Sequence, residues 1–99
     1  MSFVATVPAA LTAASGDLAG IGSVMAAQNA AAAGPTTGVV PAAADVVSAL
    51  LATQFAAHAQ LYQAVAAMAA EVHSMVVSTL ALDAGSYAAT EAANLATLG

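Results

Sequence analysis

The sequence contains no Lys, Arg, Cys or Trp, and its five acidic side chains give a formal net charge of −5. Because it has no cations, the chain cannot neutralise phosphates by counterion release, so nucleic acid is not an expected partner. It also has no polybasic patch for anionic lipid headgroups. The absence of Cys excludes a disulfide framework and leaves the redox compartment open.

What the chain does have is apolar: 62% of its 99 residues are hydrophobic, and about a third are Ala. Ala has the highest intrinsic helix propensity, and no segment shows the period-two alternation of a half-buried strand. We therefore predict an all-α fold with a helix over about residues 8–33, a turn over 34–44 and a helix over 45–82. Pro8 suits the first turn of a helix, and Asp45 is placed to cap the second helix.

Large apolar residues recur at three-four spacing along both predicted helices, which is the pattern of a heptad-like seam. The stripe is too wide for one antiparallel helix to cover, and a chain of this size gains little stability from its own core. We therefore predict an antiparallel two-helix hairpin that completes a four-helix bundle with a partner protein. The predicted partner interface consists of Leu11, Leu18, Ile21, Met25, Val47, Leu51, Phe55, His58, Leu61, Tyr62, Val65, Met68, Val72, Met75 and Val76.

Two glycines of the first predicted helix, Gly16 and Gly20, lie one turn apart. A helical Gly costs about 1 kcal/mol relative to Ala. We expect close approach of another helix to compensate for this cost.

Side chains capable of chemistry are few. His58 and His73 are roughly 22 Å apart along one helix, so they cannot share a metal ion within one chain. We expect His58 to be an interface or core histidine, with a ligand or base as the minor alternative, and His73 to be solvated. The methionines on the seams fill irregular packing. With no nucleophile–base spacing and no phosphate loop, we predict no enzyme, no cofactor and no metal.

Residues 46–70 carry no formal charge and are long enough to span a bilayer. The stretch nevertheless contains six polar residues and lacks flanking cations, so we do not expect it to insert as a single span. The N-terminus has no positive region typical of a general signal peptide. A self-associating or membrane- or envelope-associated helical protein, contributing to a channel or to solute uptake, stays open as the alternative function, although a basic polar face is missing.

Four segments carry a resemblance to a known family: residues 1–4 (MSFV), 26–33 (AAQNAAAA), 35–45 (PTTGVVPAAAD) and 85–94 (GSYAATEAAN). Together they resemble the mycobacterial PE family over essentially the whole chain, and in particular its short members without a C-terminal extension. The resemblance implies a helix–turn–helix protein that pairs with a PPE-family partner in a four-helix bundle. It also implies export by a type VII (ESX) secretion system, with an EspG-type chaperone that binds through the PPE partner.

The same resemblance implies an export motif, a Tyr followed four residues later by an acidic residue. Tyr87 and Glu91 match it, within a C-terminal tail that we place at residues 87–99, after a hairpin domain at 1–86. The alternative is that Tyr87 anchors the helix end by packing and that Glu91 is solvated. The implied location is the cytoplasm before export, and the medium or cell surface afterwards.

The chain departs from the family pattern near its N-terminus, where Pro8-Ala9 stands in place of the Pro-Glu pair. The missing first-turn carboxylate removes a dipole interaction worth about 0.3–1 kcal/mol, which is too little to abolish the helix. Val46 likewise stands where many relatives have an acidic residue.

Overall fold

The structure, a computed structural model, describes residues 4–98, and over this range the chain forms two α-helices and no strand. Helix α1 runs Pro8–Thr37 and helix α2 runs Val46–Leu98. The two helices pack against each other as an all-α helical hairpin, which confirms the predicted fold class. Residues 1–3 and 99, which belong to the predicted hairpin and tail, lie outside the described range.

Helix α1 begins at Pro8, as predicted. The carbonyl of Val7 accepts hydrogen bonds from the backbone N–H groups of Ala10, at 2.9 Å, and Leu11, at 3.4 Å. The first N–H groups of a helix have no intrahelical partner, so the N–H that proline lacks costs nothing at this position.

Helix α2 is capped by Asp45, which confirms that prediction. The backbone N–H of Ser48 donates to Oδ1 of Asp45 at 2.8 Å, and the Ser48 hydroxyl donates to Oδ2 at 2.9 Å. These bonds hold the pKa of Asp45 below its ordinary value of 3.8, and the backbone N–H of Ser48 contributes more to this shift than the Ser48 hydroxyl. Both bonds favour the charged carboxylate, as does the positive end of the helix.

Helix α1 ends at Thr37, four residues beyond the predicted end at 33, so it includes Pro35. A proline lacks the N–H that would bond the carbonyl four residues earlier, but in the last turn only one such bond is lost. The hydroxyls of Thr36 and Thr37 each donate to the carbonyl four residues earlier, at 2.6 Å. These bonds occupy carbonyls of the last turn, and the helix continues past the proline.

Helix α2 continues to Leu98, whereas the sequence predicted a helix end at 82. Six alanines lie between residues 84 and 96, with one glycine and no proline, so helix propensity stays high. The predicted tail is therefore helical over residues 87–98, and the motif that it carries lies on a regular helix.

The chain divides into two compact units, each made from a part of both helices. Unit 1 comprises described residues 4–22 and 73–98, and its buried residues are Ser15 and Ala84. The Ser15 hydroxyl donates to the carbonyl of Val77 at 2.9 Å. Unit 2 comprises residues 23–72, and its buried residues are Ala52 and Ala59, seven residues apart on one helix face. Small side chains at these contacts permit close approach of the helix backbones within each unit.

Residues 4–98 do not provide the close approach expected at Gly16 and Gly20. A Cβ built at either position meets no atom within 4 Å, whereas a Cβ at Gly22 would lie 2.8 Å from the ring of His73. The Nε2–H of His73 donates to the carbonyl of Leu18, and the ring is half-buried. His73 is thus part of the packing of unit 1, which corrects the expectation that it is solvated.

Candidate functional site

The large apolar side chains of α2 in unit 2 form an exposed surface, which we name the α2 apolar face. Each of its eight members is at least half exposed. Ala52 and Ala59, on the same helix, are buried in the packing of the unit, whereas these larger side chains remain exposed. The α2 apolar face consists of Val47, Leu51, Phe55, Leu61, Tyr62, Val65, Met68 and Val72.

His58 lies in the same stretch of α2 and is also exposed, so the structure places it at the surface of unit 2. With Phe55 and Tyr62 it lines an open apolar cavity of about 430 Å³, whose other walls come from Ala59 of α2, the end of α1 and the connection that follows it. These further lining residues are Ala32, Pro35, Thr36, Val39 and Ala59.

Asn29 of α1 fixes the aromatic part of this surface. The hydroxyl of Tyr62 donates to Oδ1 of Asn29 at 2.7 Å, and Nε2 of Gln63 donates to the Asn29 backbone carbonyl at 2.9 Å. The Tyr62 ring is therefore held in place while half of its surface remains open. A pre-positioned aromatic ring loses less rotamer freedom on binding than a mobile one.

The other predicted interface residues divide into two groups. Ile21, Met25, Met75 and Val76 are exposed, as a partner-binding role requires. Leu11 and Leu18 are half-buried and follow the same three-four spacing as Ser15, which is buried in unit 1. These two leucines therefore contribute to the packing of the hairpin itself and have less free surface for a partner.

Tyr87 and Glu91 lie one turn apart on α2 in unit 1. Tyr87 is 47% exposed. Glu91 is half-buried, and its Oε1 accepts a hydrogen bond of 2.8 Å from the Thr6 hydroxyl. This bond contradicts the alternative prediction that Glu91 is merely solvated. Sequence reasoning missed Thr6, because nothing in the spacing of a Thr in a non-helical segment indicates a partner 85 residues away.

Among residues 4–98, no group of three or more His, Asp or Glu side chains is arranged to hold a metal ion. Both helices are long and apolar enough to cross a membrane when judged by length and composition alone. The surface chemistry of the described chain is thus dominated by exposed aliphatic and aromatic side chains.

Comparison with known proteins gives a consistent result. The sequence model of the PE family matches residues 4–94. The chain is 60% identical over 96 residues to PE family protein PE13 of Mycobacterium tuberculosis, which covers 97% of each chain. It is 55% identical over 94 residues to PE family protein PE8 of the same organism, covering 95% of this chain and 34% of PE8.

A longer relative, PE-PGRS family protein PE_PGRS33 of Mycobacterium tuberculosis, is 58% identical over 98 residues, which is 99% of this chain and 20% of that protein. The chain therefore spans nearly all of PE13, about a third of PE8 and about a fifth of PE_PGRS33. With the helical hairpin and a family match over most of its length, the chain belongs to the PE family.

Proposed function

We propose that this chain is a non-enzymatic interaction protein, the PE half of a PE–PPE heterodimer that is exported by a type VII (ESX) secretion system. One observation carries the proposal. The buried residues of the described chain are three Ala and one Ser, while 22 large hydrophobic residues are exposed. Exposed apolar surface of this extent is typical of an interaction site.

The energetics favour a partner over an isolated hairpin. Full burial of a large apolar side chain is worth about 1.5–3 kcal/mol. The eight side chains of the α2 apolar face are already at most half covered, so a partner gains several kcal/mol by covering the rest. That gain is comparable to the roughly 3–5 kcal/mol that the core of a small scaffold supplies.

The shape of the surface supports a helical partner. Heptad-like spacing along one face of a helix is the pattern by which helices pack side by side in bundles. A PPE-family protein that contributes two helices would complete a four-helix bundle, with Phe55 and Tyr62 as aromatic anchors. An EspG-type chaperone would then bind through the PPE partner and hold the pair in the cytoplasm before export.

Co-expression with candidate PPE proteins, followed by size-exclusion chromatography and circular dichroism, tests the pairing. We expect the chain alone to aggregate or to show little cooperative melting, and to become soluble and helical with its partner. A monodisperse isolated chain that melts cooperatively would contradict the proposal.

The export step rests on Tyr87 and Glu91, which match the family motif on one turn of α2. Since Tyr87 is half exposed, its ring is available to a receptor. We expect Tyr87→Ala to reduce the exported fraction while the variant still co-elutes with its PPE partner. Unchanged export would leave Tyr87 as a surface packing residue only.

A second candidate function is supported by the length and apolar composition of both helices. In that case the chain associates with a membrane or envelope, or with itself, and contributes to a channel or to solute uptake. Flotation of the purified PE–PPE pair with neutral and anionic liposomes separates the two functions. Co-migration with the lipid favours the second, and recovery in the dense fraction favours the first.

A further inference from the structure

Thr6 and Glu91 join the segment before α1 to the far part of α2, within unit 1. The Thr6 hydroxyl donates to Oε1 of Glu91 at 2.8 Å, between residues 85 positions apart in the sequence. Thr6 is itself half-buried and lies two residues before the start of α1 at Pro8. The Thr6–Glu91 side-chain pair therefore links the segment that leads into α1 to α2.

Glu91 differs from the other carboxylates of the chain. The side chains of Asp17, Asp45, Glu71 and Asp83 are exposed, whereas Glu91 is half-buried and bonded to a residue of the other chain end. A free Glu side chain samples several rotamers, and fixing it in one of them costs conformational entropy. The bond to Thr6 holds the carboxylate in one position before any receptor arrives.

We propose that Thr6 is a positioning residue of the export determinant, so that the determinant is a composite of the segment before α1 and the Tyr87–Glu91 turn of α2. This inference rests on the proposed export function. Thr6 bonds Oε1 of the carboxylate, and a receptor would bond Oε2 through an N–H or cationic group. The exposed Tyr87 ring, one turn away, supplies the second contact.

The test compares variants of the full chain, co-expressed in a mycobacterial host with the PPE protein that co-purifies with it. The exported fraction is read as the ratio of chain in culture filtrate to chain in lysate. Thr6→Val keeps the shape of the side chain and removes the hydroxyl, and Thr6→Ser keeps the hydroxyl. Thr12→Val is the matched control, since the exposed Thr12 hydroxyl bonds only the carbonyl of Pro8 in its own helix.

We expect Thr6→Val to lower the exported fraction about fivefold. This factor corresponds to roughly 1 kcal/mol, the contribution of a partly exposed hydrogen bond to a charged group. Thr6→Ser and Thr12→Val should export as the natural chain does. In a Glu91→Ala background, where the acceptor of the Thr6 hydroxyl is absent, Thr6→Val should cause less further loss than it does alone, because the two residues act through one contact.

Three results would overturn the inference. In the first, export of Thr6→Val is unchanged or increased while export of Glu91→Gln is defective. In the second, Thr6→Ser is exported as poorly as Thr6→Val. In the third, Thr6→Val no longer binds the PPE partner, so the role of Thr6 would be in assembly of the pair. Failure of the export function itself looks different, because Tyr87→Ala and Glu91→Gln would then export normally. Glu71→Gln, an exposed carboxylate on the same helix, controls for loss of charge.

Discussion

Truncation of Leu61 tests whether the α2 apolar face binds the partner. Leu61 is 64% exposed, so a partner that covers it removes about two-thirds of its surface from water. Full burial of a Leu contributes about 1.5–3 kcal/mol, so the share supplied by the partner is roughly 1–2 kcal/mol. Leu61→Ala should therefore weaken the heterodimer by a factor of about 5–30.

A competition assay measures this factor directly. The natural chain and the Leu61→Ala variant are co-expressed with a limiting amount of affinity-tagged PPE partner, and their ratio in the captured complex is read by intact-mass spectrometry. Leu95→Ala is the matched control: Leu95 is 70% exposed on the same helix but lies outside the predicted interface. Equal capture of Leu61→Ala and the natural chain would refute the assignment of this face to the partner.

Three further predictions concern the hairpin itself. Ala59→Leu places a large side chain at a helix contact where Ala59 is only 7% exposed. The resulting overpacking, worth about 1–3 kcal/mol, should lower the melting temperature of the complex. Ala57→Leu is the control, because Ala57 is exposed and its substitution should leave the melting temperature unchanged. Gly22→Ala should displace the His73 ring and destabilise the complex in chemical denaturation. In a His73→Ala background the same change should stabilise the complex by up to about 1 kcal/mol, because Ala is a better helix former than Gly. Equal effects in both backgrounds would contradict the contact between Gly22 and His73. Because the pKa of Asp45 is lowered on folding, the stabilising effect of its carboxylate is present above pH 3.8 and is lost as the pH falls further. When the helicity of the complex is followed from pH 5 to 2, it should therefore decline less in Asp45→Asn than in the natural chain. Identical helicity profiles would argue against the cap.

Local rules predicted the helix starts. Pro8 and Asp45 each act within one turn, so their effect is independent of the rest of the fold. The helix ends were harder to predict. Pro35 indicates a break on its own, yet in a last turn it removes only one bond and the neighbouring Thr hydroxyls occupy carbonyls there. Beyond residue 82 the apolar seam ends, but Ala continues the helix without it.

The contacts between the helices were beyond sequence reasoning for a different reason. Both the large-residue face and the Ala face of α2 are apolar, so hydrophobicity alone does not decide which of them packs inside the hairpin. Side-chain size decides it, since Ala52 and Ala59 permit a shorter distance between helices. Within unit 1, His73 contacts Gly22 and Thr6 bonds Glu91, although neither pair has a signal in the spacing of its residues.

The core of small residues also bears on how much of this protein a cell keeps. Because only Ala and Ser are buried in the described chain, we expect little free energy to separate an unpaired hairpin from its locally opened forms. Proteases cleave the opened population, so unpaired copies are removed faster than copies covered by a partner. The abundance of a partner would then set the abundance of this chain, and surplus copies of this chain would not accumulate. Matched amounts of the two proteins would follow from degradation, without any need for equal rates of synthesis.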